Sequence, residues 1–371
     1  MHNSRTLLQI LPFAPGGRDG VGDYARTLAT RLRERYGFQT TFLASHPSSR
    51  KKIDDFPIIS PFREWPARLS EECNSLVLHF VSYGYQKRGV PFTLMQWMRK
   101  IRQNRPARAV TIFHELYASG SWRQSAFWLQ SLQKQIIRAL AQLSDTAVVS
   151  SSVLRDQLRR LAPKVSIVVK PVFSNFGEPI LPDDSFARDA NRWVICGGTN
   201  LVERSVRSFT RVRHLLSDFA PRKLFVIGGA NNPAVRQLLQ KDTGISSEYL
   251  PDIDRNDASE ILSSCAFGWI DYFEHENVPT AAILKSTAFA ALCAHGVIPV
   301  FPAALSSIDL DGDVLAGPWY TAAGECKPPN PAKLPGISLE TYQWYRRHAL
   351  SEGAADLIAE ALGLGKPAEL A

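Results

Sequence analysis

The chain predicts an α/β protein of two domains, each a parallel sheet flanked by helices, on three observations. Short apolar runs alternate with longer amphipathic ones through residues 7–169, and the same alternation restarts at 192. A segment rich in prolines and acids, PVFSNFGEPILPDDSFARDA at 171–190, breaks the rhythm once and reads as a linker. Several apolar runs lead straight into glycines, the usual strand-to-helix turn. Repeated strand–helix alternation implies parallel strands with crossover helices, and 371 residues suffice for two domains of ordinary size.

Taken in order, strands are expected at 7–13, 39–44, 76–80, 109–113, 146–150 and 165–169, and helices at 23–36, 92–104, 123–143 and 152–161. After the linker, strands are expected at 192–196, 223–228, 266–270 and 297–301, and helices near 203–217, 233–240, 256–263 and 287–295. Residues 312–337 are rich in glycine and proline and read as loop, and 339–362 as helix. The domains are expected at 1–172 and 173–349, with a C-terminal helix from about 350 to 371 packing back on the first. In open α/β sheets ligands sit at the carboxyl ends of the strands, so the two sheets are expected to face a central cleft.

Composition narrows the classes. Hydrophobic residues make up 45% and charged residues 21%, as in a globular protein. No apolar run reaches the length of a membrane span, and the N-terminal run is broken by Gln9 and Pro12, against a signal peptide. The five cysteines are scattered and show no metal spacing, which fits reduced thiols in the cytoplasm. Lys and Arg exceed Asp and Glu by 43 to 35. Part of the excess lies in 87–108, as Lys87, Arg88, Arg99, Lys100, Arg102, Arg105 and Arg108. Nucleic acid is not expected as a partner, since no binding motif or stacking platform accompanies these charges. Phe92, Leu94, Met95, Trp97 and Met98 precede them and fit either a peripheral membrane contact at the inner face or a buried helix face.

The first candidate site follows the first strand. Gly16, Gly17, Gly20 and Gly22 precede a helix whose cap is expected to be Asp23. Such a loop either cradles a ligand beside the helix N-terminus or is a tight turn whose glycines serve packing. The spacing is not the dinucleotide fingerprint. His79 in LVLHF and His114 in TIFHE end two further strands, where they can meet a sugar hydroxyl or a phosphate, act as base, or serve structure alone.

In the second half, GGTNLVERS at 197–205 follows a strand. Gly198 permits a tight turn, Thr199 follows it, and Arg204, expected in the first turn of the next helix, suits a diphosphate or is a surface arginine. VIGGANN at 226–232 brings Gly229 into a second turn of the same kind. In ILKSTAFAALCAHGVIPVF at 283–301, Ser286 or Thr287 caps a helix and Lys285 stands just before it, placed to hold a phosphate. Ala288, Ala291 and Ala294 form a face for close helix–sheet packing. The acidic pairs Asp252/Asp254 and Asp309/Asp311 lack the strand context of a metal–nucleotide motif.

The order of these segments resembles the GT-B glycosyltransferases of the retaining family-4 type. GGRDGVGDYARTLATRL is similar to that family's glycine loop and first helix, FHE at 113–115 to its cleft histidine, PVFSNFGE to its run into the linker, and AALCAHGVIPVF to its helix, glycine and strand. In GGTNLVERS, Arg204 stands where the family has its lysine and Thr199 where it has its arginine. The family's paired glutamates are replaced by Ile283 and Ala291, with Glu274 and Glu276 upstream. The resemblance implies a cytoplasmic, metal-independent transfer of a hexose from a UDP- or GDP-linked sugar to a glycan or lipid-linked acceptor, in polysaccharide or glycolipid biosynthesis and with no other cofactor. His114, Arg204 and Lys285 would be its catalytic groups; the four glycines of the first loop, with Gly198, Thr199, Gly229, Ser286 and Thr287, would line the binding site. Loss of the glutamates leaves open a catalytically silent protein that binds a nucleotide sugar or a partner. A related epimerase or an inverting enzyme, with His79, Glu115 or Asp19 as base, also stays open.

Overall fold

A computed structural model of the chain describes residues 5–17, 19–61, 74–104, 107–117, 125–241, 244–273, 278–304, 307–322 and 328–365. Two units emerge: Met1–Pro171 with Ser351–Ala371, and Val172–Leu350.

The first unit is built on an eight-stranded sheet. Its strands are β1 (Arg5–Leu11), β2 (Phe38–Ala44), β3 (Lys52–Ile53), β4 (Phe56–Ile59), β5 (Ser75–Phe80), β6 (Arg108–Phe113), β7 (Thr146–Val149) and β8 (Ser166–Val169), in the order β3-β4-β2-β1-β5-β6-β7-β8. All neighbours are parallel except β3 and β4. Strands covered on both faces must be apolar where they are buried, and the buried stretches of RTLLQIL, SLVLHF and RAVTIF are, apart from Gln9, His79 and Thr111; Arg5, Thr6, Ser75 and Arg108 stand at the less buried strand starts. The helices are α1 (Gly20–Tyr36), α2 (Ser82–Tyr85), α3 (Phe92–Asn104), α4 (Ser125–Gln142), α5 (Ser152–Leu161) and, returning from the end of the chain, the segment Ser351–Ala361, which packs on α1. Arg35 grips Asp356 through two hydrogen bonds of 2.8 and 3.1 Å, and the Tyr36 hydroxyl donates to the same carboxylate.

The second unit holds a parallel sheet of β9 (Arg192–Cys196), β10 (Lys223–Ile227), β11 (Ser246–Leu250), β12 (Phe267–Trp269), β13 (Ile298–Phe301) and a late edge strand at Trp319–Tyr320, with β11 and Trp319–Tyr320 at the edges and β9 beside β12 at the centre. Its helices are α6 (Thr199–Val212), α7 (Pro233–Lys241), α8 (Arg255–Ser264), α9 (Thr287–Ala294) and α10 (Leu334–His348). Trp193 anchors the core, with ring centroids 5.1 Å from Phe267, 6.1 Å from Trp319 and 6.3 Å from Phe209.

Several expectations are corrected. The linker read at 171–190 is fastened to the second unit from Val172 onward: Val172 N donates to Leu284 O, Ser174 N to the Tyr345 hydroxyl, and the Tyr345 hydroxyl to Glu178. The Gly/Pro-rich stretch contains the edge strand Trp319–Tyr320, and the helix expected at 339–362 is two helices that divide between the units. Of the two readings of the apolar run before the basic segment, the buried helix face is the one found for Leu94, Met95 and Met98. Arg102 is pinned by Asp145 at 3.1 Å and by the Ala107 carbonyl, and Arg105 lies outside the described residues.

In doubly wound sheets the chain winds outward from a central pair of strands, and the loops leaving that pair splay apart to form the binding crevice. The central pairs here are β1/β5 and β9/β12. The candidate residues that directly follow strands, Gly16 and Gly17 after β1, His114 after β6, Gly198 and Thr199 after β9 and Gly229 after β10, stand at the carboxyl ends of these sheets.

Candidate functional site

In the first unit, the residue that organises the loop after β1 is Asp19. It adopts extended backbone geometry and its carboxylate accepts from Val21 N and Gly22 N, both at 3.2 Å, so Asp19 and not Asp23 is the N-cap of α1. The helix therefore starts at Gly20, and Gly20 and Gly22 are its first turn rather than loop. A side chain on Gly22 would meet Pro15 Cα at 3.2 Å, which makes this glycine a packing residue. The two cap amides already serve a carboxylate and are not offered to a second anion. The loop proper keeps Gly16, at φ +88, and Gly17, which has open space where a side chain would stand.

Behind this loop lies a buried polar chain across three adjacent strands. Gln9 Oε1 is 2.8 Å from His79 Nε2, and His79 Nδ1 is 3.2 Å from His114 Nε2. Register explains the alignment: Gln9 pairs with Val77 and His79 with Ile112, so Gln9, His79 and His114 share one face. Tyr24 of α1 stands edge-on to both imidazoles, with centroids 5.9 and 5.1 Å away. The Tyr85 hydroxyl, 2.9 Å from His79 O and 3.1 Å from Ile10 O, ties the two central strands together. His79 and Gln9 are fully buried and His114 is half-buried. Burial, then repulsion from His114, lowers the His79 pKa well below its usual value, and burial lowers His114 to about 4. Both rings are thus neutral near pH 7.

That shift has a signed consequence for stability. A histidine whose folded-state pKa is depressed binds fewer protons folded than unfolded, so its stabilisation is full above pH 6.5 and is lost as pH falls toward the folded value. In the second unit, burial lowers His295 to about 4; it is held by Ser259 Oγ at 2.8 Å and the Ala291 carbonyl at 2.8 Å. Urea midpoints measured from pH 7 to pH 4 are expected to fall across this window, and His114→Gln is expected to flatten the fall by up to one proton's slope. An unchanged slope in the variant would refute the buried-neutral assignment.

In the second unit, two glycine loops lock together. A side chain on Gly228 (φ +85) would stand 2.7 Å from Gly197 O, and one on Gly229 (φ +68) 2.8 Å from Thr199 N and Cα. Thr199 Oγ1 accepts from Ala230 N at 2.8 Å, so the residue standing in place of the family's arginine is a clasp between loops. Gly198 is the N-cap of α6 and is exposed; no side chain caps this helix. Arg204 is in the second turn of α6, not the first as expected, because the helix begins at Thr199. Its Nε donates to the Asp271 carbonyl at 2.6 Å, while the Asp271 N–H donates to Ser205 Oγ at 3.0 Å. Arg204 and Ser205 thereby clamp one residue, Asp271, from its carbonyl and its N–H, tying the segment after β12 to α6 across the central pair of strands.

Lys285, at the end of a 3-10 turn at Thr280–Lys285, is exposed and makes no hydrogen bond or ion pair among the described residues. Ser286 is the cap of α9, accepting from Phe289 N at 3.3 Å, and Thr287 is the first helical residue. Ala288, Ala291 and Ala294 are buried, as expected of a packing face. Ile283 and Ala291 are both fully buried, so on this backbone the two places matched to the paired glutamates face core. Glu274 and Glu276 lie outside the described residues. The acidic pairs serve backbone geometry: Asp254 caps α8, and Asp309 accepts from Gly312 N in a turn. No group of three metal-ligating side chains occurs among the described residues.

No protein-family profile matches the chain, and no curated protein matches it in sequence. Solved structures do. A protein carrying the name UDP-N-acetylglucosamine 2-epimerase, from Listeria monocytogenes, is similar with 9% identity and a TM-score of 0.53, over 99% of this chain and 100% of that one. A UDP-forming α,α-trehalose-phosphate synthase from Burkholderia vietnamiensis is similar with 12% identity and a TM-score of 0.51, over 97% and 100%. The corresponding α,α-trehalose 6-phosphate synthase from Burkholderia multivorans gives 12% and 0.50, over 97% and 98%. The fold is GT-B. At such identities the likeness concerns the fold, and the chemistry has to be argued from the residues. Sequence reading missed Gln9 and Asp19 as organising residues of this GT-B chain. A lone amide inside an apolar strand was the available signal, since a buried polar group needs a partner.

Proposed function

We propose that the chain is a glycosyltransferase of the retaining family-4 type, moving a hexose from a UDP- or GDP-linked sugar to a glycan or lipid-linked acceptor. One observation carries this reading: Arg204, in the helix that follows the first of two interlocked glycine loops, is anchored on the Asp271 carbonyl after β12, at the central strand pair of the second sheet. That is where an open α/β sheet receives a ligand. A guanidinium beside the uncapped N-terminus of α6 suits a diphosphate leaving group, whose negative charge grows as the glycosidic bond breaks. Lys285 would add a second cation, without an obligatory metal. In the first unit, His114 would meet a sugar or acceptor hydroxyl.

Membrane contact belongs to the same proposal. Lys87, Arg88, Arg99 and Lys100 are exposed, as are Phe92, Trp128 and Leu132. Cations mixed with exposed aromatic and aliphatic side chains suit an anionic lipid surface, and salt-sensitive retention on anionic vesicles is the test.

Thermal shift against UDP, GDP, ADP and their hexose conjugates, with and without EDTA, tests the donor assignment. Stabilisation by one nucleotide, indifferent to EDTA, is expected; at a hundred times Kd it amounts to about 2.7 kcal/mol. No stabilisation by any of them would overturn donor binding. Nucleotide binding with no sugar transferred or hydrolysed would instead assign the catalytically silent alternative.

A further inference from the structure

We infer that Gln9 and His79 are positioning residues that hold His114 in one tautomer, with its Nε2 protonated and its Nδ1 presented as a lone pair to a ligand hydroxyl. The inference rests on the transferase reading for the identity of the ligand, but its geometry stands on the first unit alone.

The direction of the chain follows from the Gln9 amide. With its Oε1 toward the imidazole at 2.8 Å, His79 Nε2 donates to it, and the Gln9 Nε2 is left without a hydrogen-bond partner among the described residues. A neutral imidazole carries one N–H, so His79 Nδ1 is then an acceptor, and His114 Nε2, 3.2 Å away, must supply the hydrogen. The second nitrogen of His114 is left as a bare acceptor. It has no hydrogen-bond partner among the described residues, and the ring is half-buried where the other two side chains are sealed. Gln9 and His79 lie on the central pair of strands, β1 and β5, and His114 follows the next strand, β6. The chain therefore begins beneath the place where the sheet opens for a ligand and surfaces at its edge.

Two further features keep the alignment. Tyr24 stands edge-on to both imidazoles, and His79 and His114 are nearly coplanar, with rings 13° apart and centroids 5.5 Å apart. The His114 N–H donates to Phe80 O at 3.1 Å, fixing the backbone from which the ring projects. A ligand oxygen that can only accept would face the His114 lone pair unfavourably, whereas a hydroxyl donates to it. His114 is thus set to select a hydroxyl rather than a phosphate oxygen, which separates its task from that of Arg204.

Long-range 1H–15N correlation on the full chain, labelled with 15N-histidine at pH 7 without ligand, tests the inference. Peaks are assigned by loss in His114→Gln and His79→Gln among the eight histidines. His114 is expected to show a protonated Nε2 and an unprotonated Nδ1, with His79 in the same tautomer. Gln9→Glu, which still accepts, is expected to retain the pattern; Gln9→Leu is expected to average the two His114 nitrogens. A wild-type His114 protonated on Nδ1, averaged, or doubly protonated overturns the inference, as does an unchanged pattern in Gln9→Leu. The wild-type spectrum decides even where a variant does not fold. Because it is read without ligand, its failure is distinct from a failure of nucleotide binding.

Discussion

Arg204→Ala is expected to lower turnover by about two to three orders of magnitude while leaving the fold intact, the range seen when one preorganised stabiliser of a developing anion is removed. The side chain is half-buried and its Nε is committed to the Asp271 carbonyl at 2.6 Å, so its direction is set before any substrate arrives. A charge already in place costs no reorganisation as the leaving diphosphate forms. Arg204→Lys is expected to recover only part of the loss, because an ammonium cannot keep one donor on a carbonyl and present a planar fork to a phosphate. Ser205→Ala separates two roles. Ser205 holds the same residue from its N–H side, accepting from Asp271 N at 3.0 Å. If Arg204 acted only by seating Asp271, Ser205→Ala would bring a comparable loss; it is expected to cost less than about tenfold. Steady-state kinetics with the nucleotide sugar chosen by thermal shift decides the matter. Turnover within about threefold of wild type in Arg204→Ala would remove the residue from the mechanism.

The sheets were legible in the sequence because parallel strands covered on both faces must be apolar nearly end to end, which RWVIC and RAVTIF are. Two of the strands that went unread have the opposite character. SSEYL, β11, lies at an edge with its first three residues exposed, and Trp319–Tyr320 is two residues long inside a proline-rich stretch. Glycine was the more misleading signal. Gly20 and Gly22 look like loop, yet an aspartate cap at Asp19 lets the helix start through them, and close packing on Pro15 explains Gly22. Gly228 and Gly229 look like a ligand turn, and the geometry assigns them first to contact with the neighbouring loop. Composition does not distinguish these uses, since each needs only the missing Cβ. Nor could spacing reveal that Ile283 and Ala291 face core, or that Gln9, His79 and His114, far apart in the chain, share one face of a sheet.

Gly229→Ala is expected to destabilise the second unit by about 2–5 kcal/mol and to abolish nucleotide binding. Two independent costs meet at this residue. Its φ of +68 is left-handed, which a side chain disfavours by about 1–2 kcal/mol. A Cβ would also stand 2.8 Å from Thr199 N and Cα, and these are backbone atoms that cannot rotate aside. Forcing the loops apart adds about 1–3 kcal/mol of overpacking. It would also stretch the clasp between Thr199 Oγ1 and Ala230 N and tilt the first turn of α6, the helix that carries Arg204. Gly17→Ala is the matched control: open space surrounds that position, and its urea midpoint is expected to stay near wild type. If Gly229→Ala unfolds at the wild-type midpoint, the loops have room that the contact distances deny. If it is destabilised but still binds nucleotide, the contact between the loops serves folding alone, and the ligand site lies elsewhere along the sheet edge.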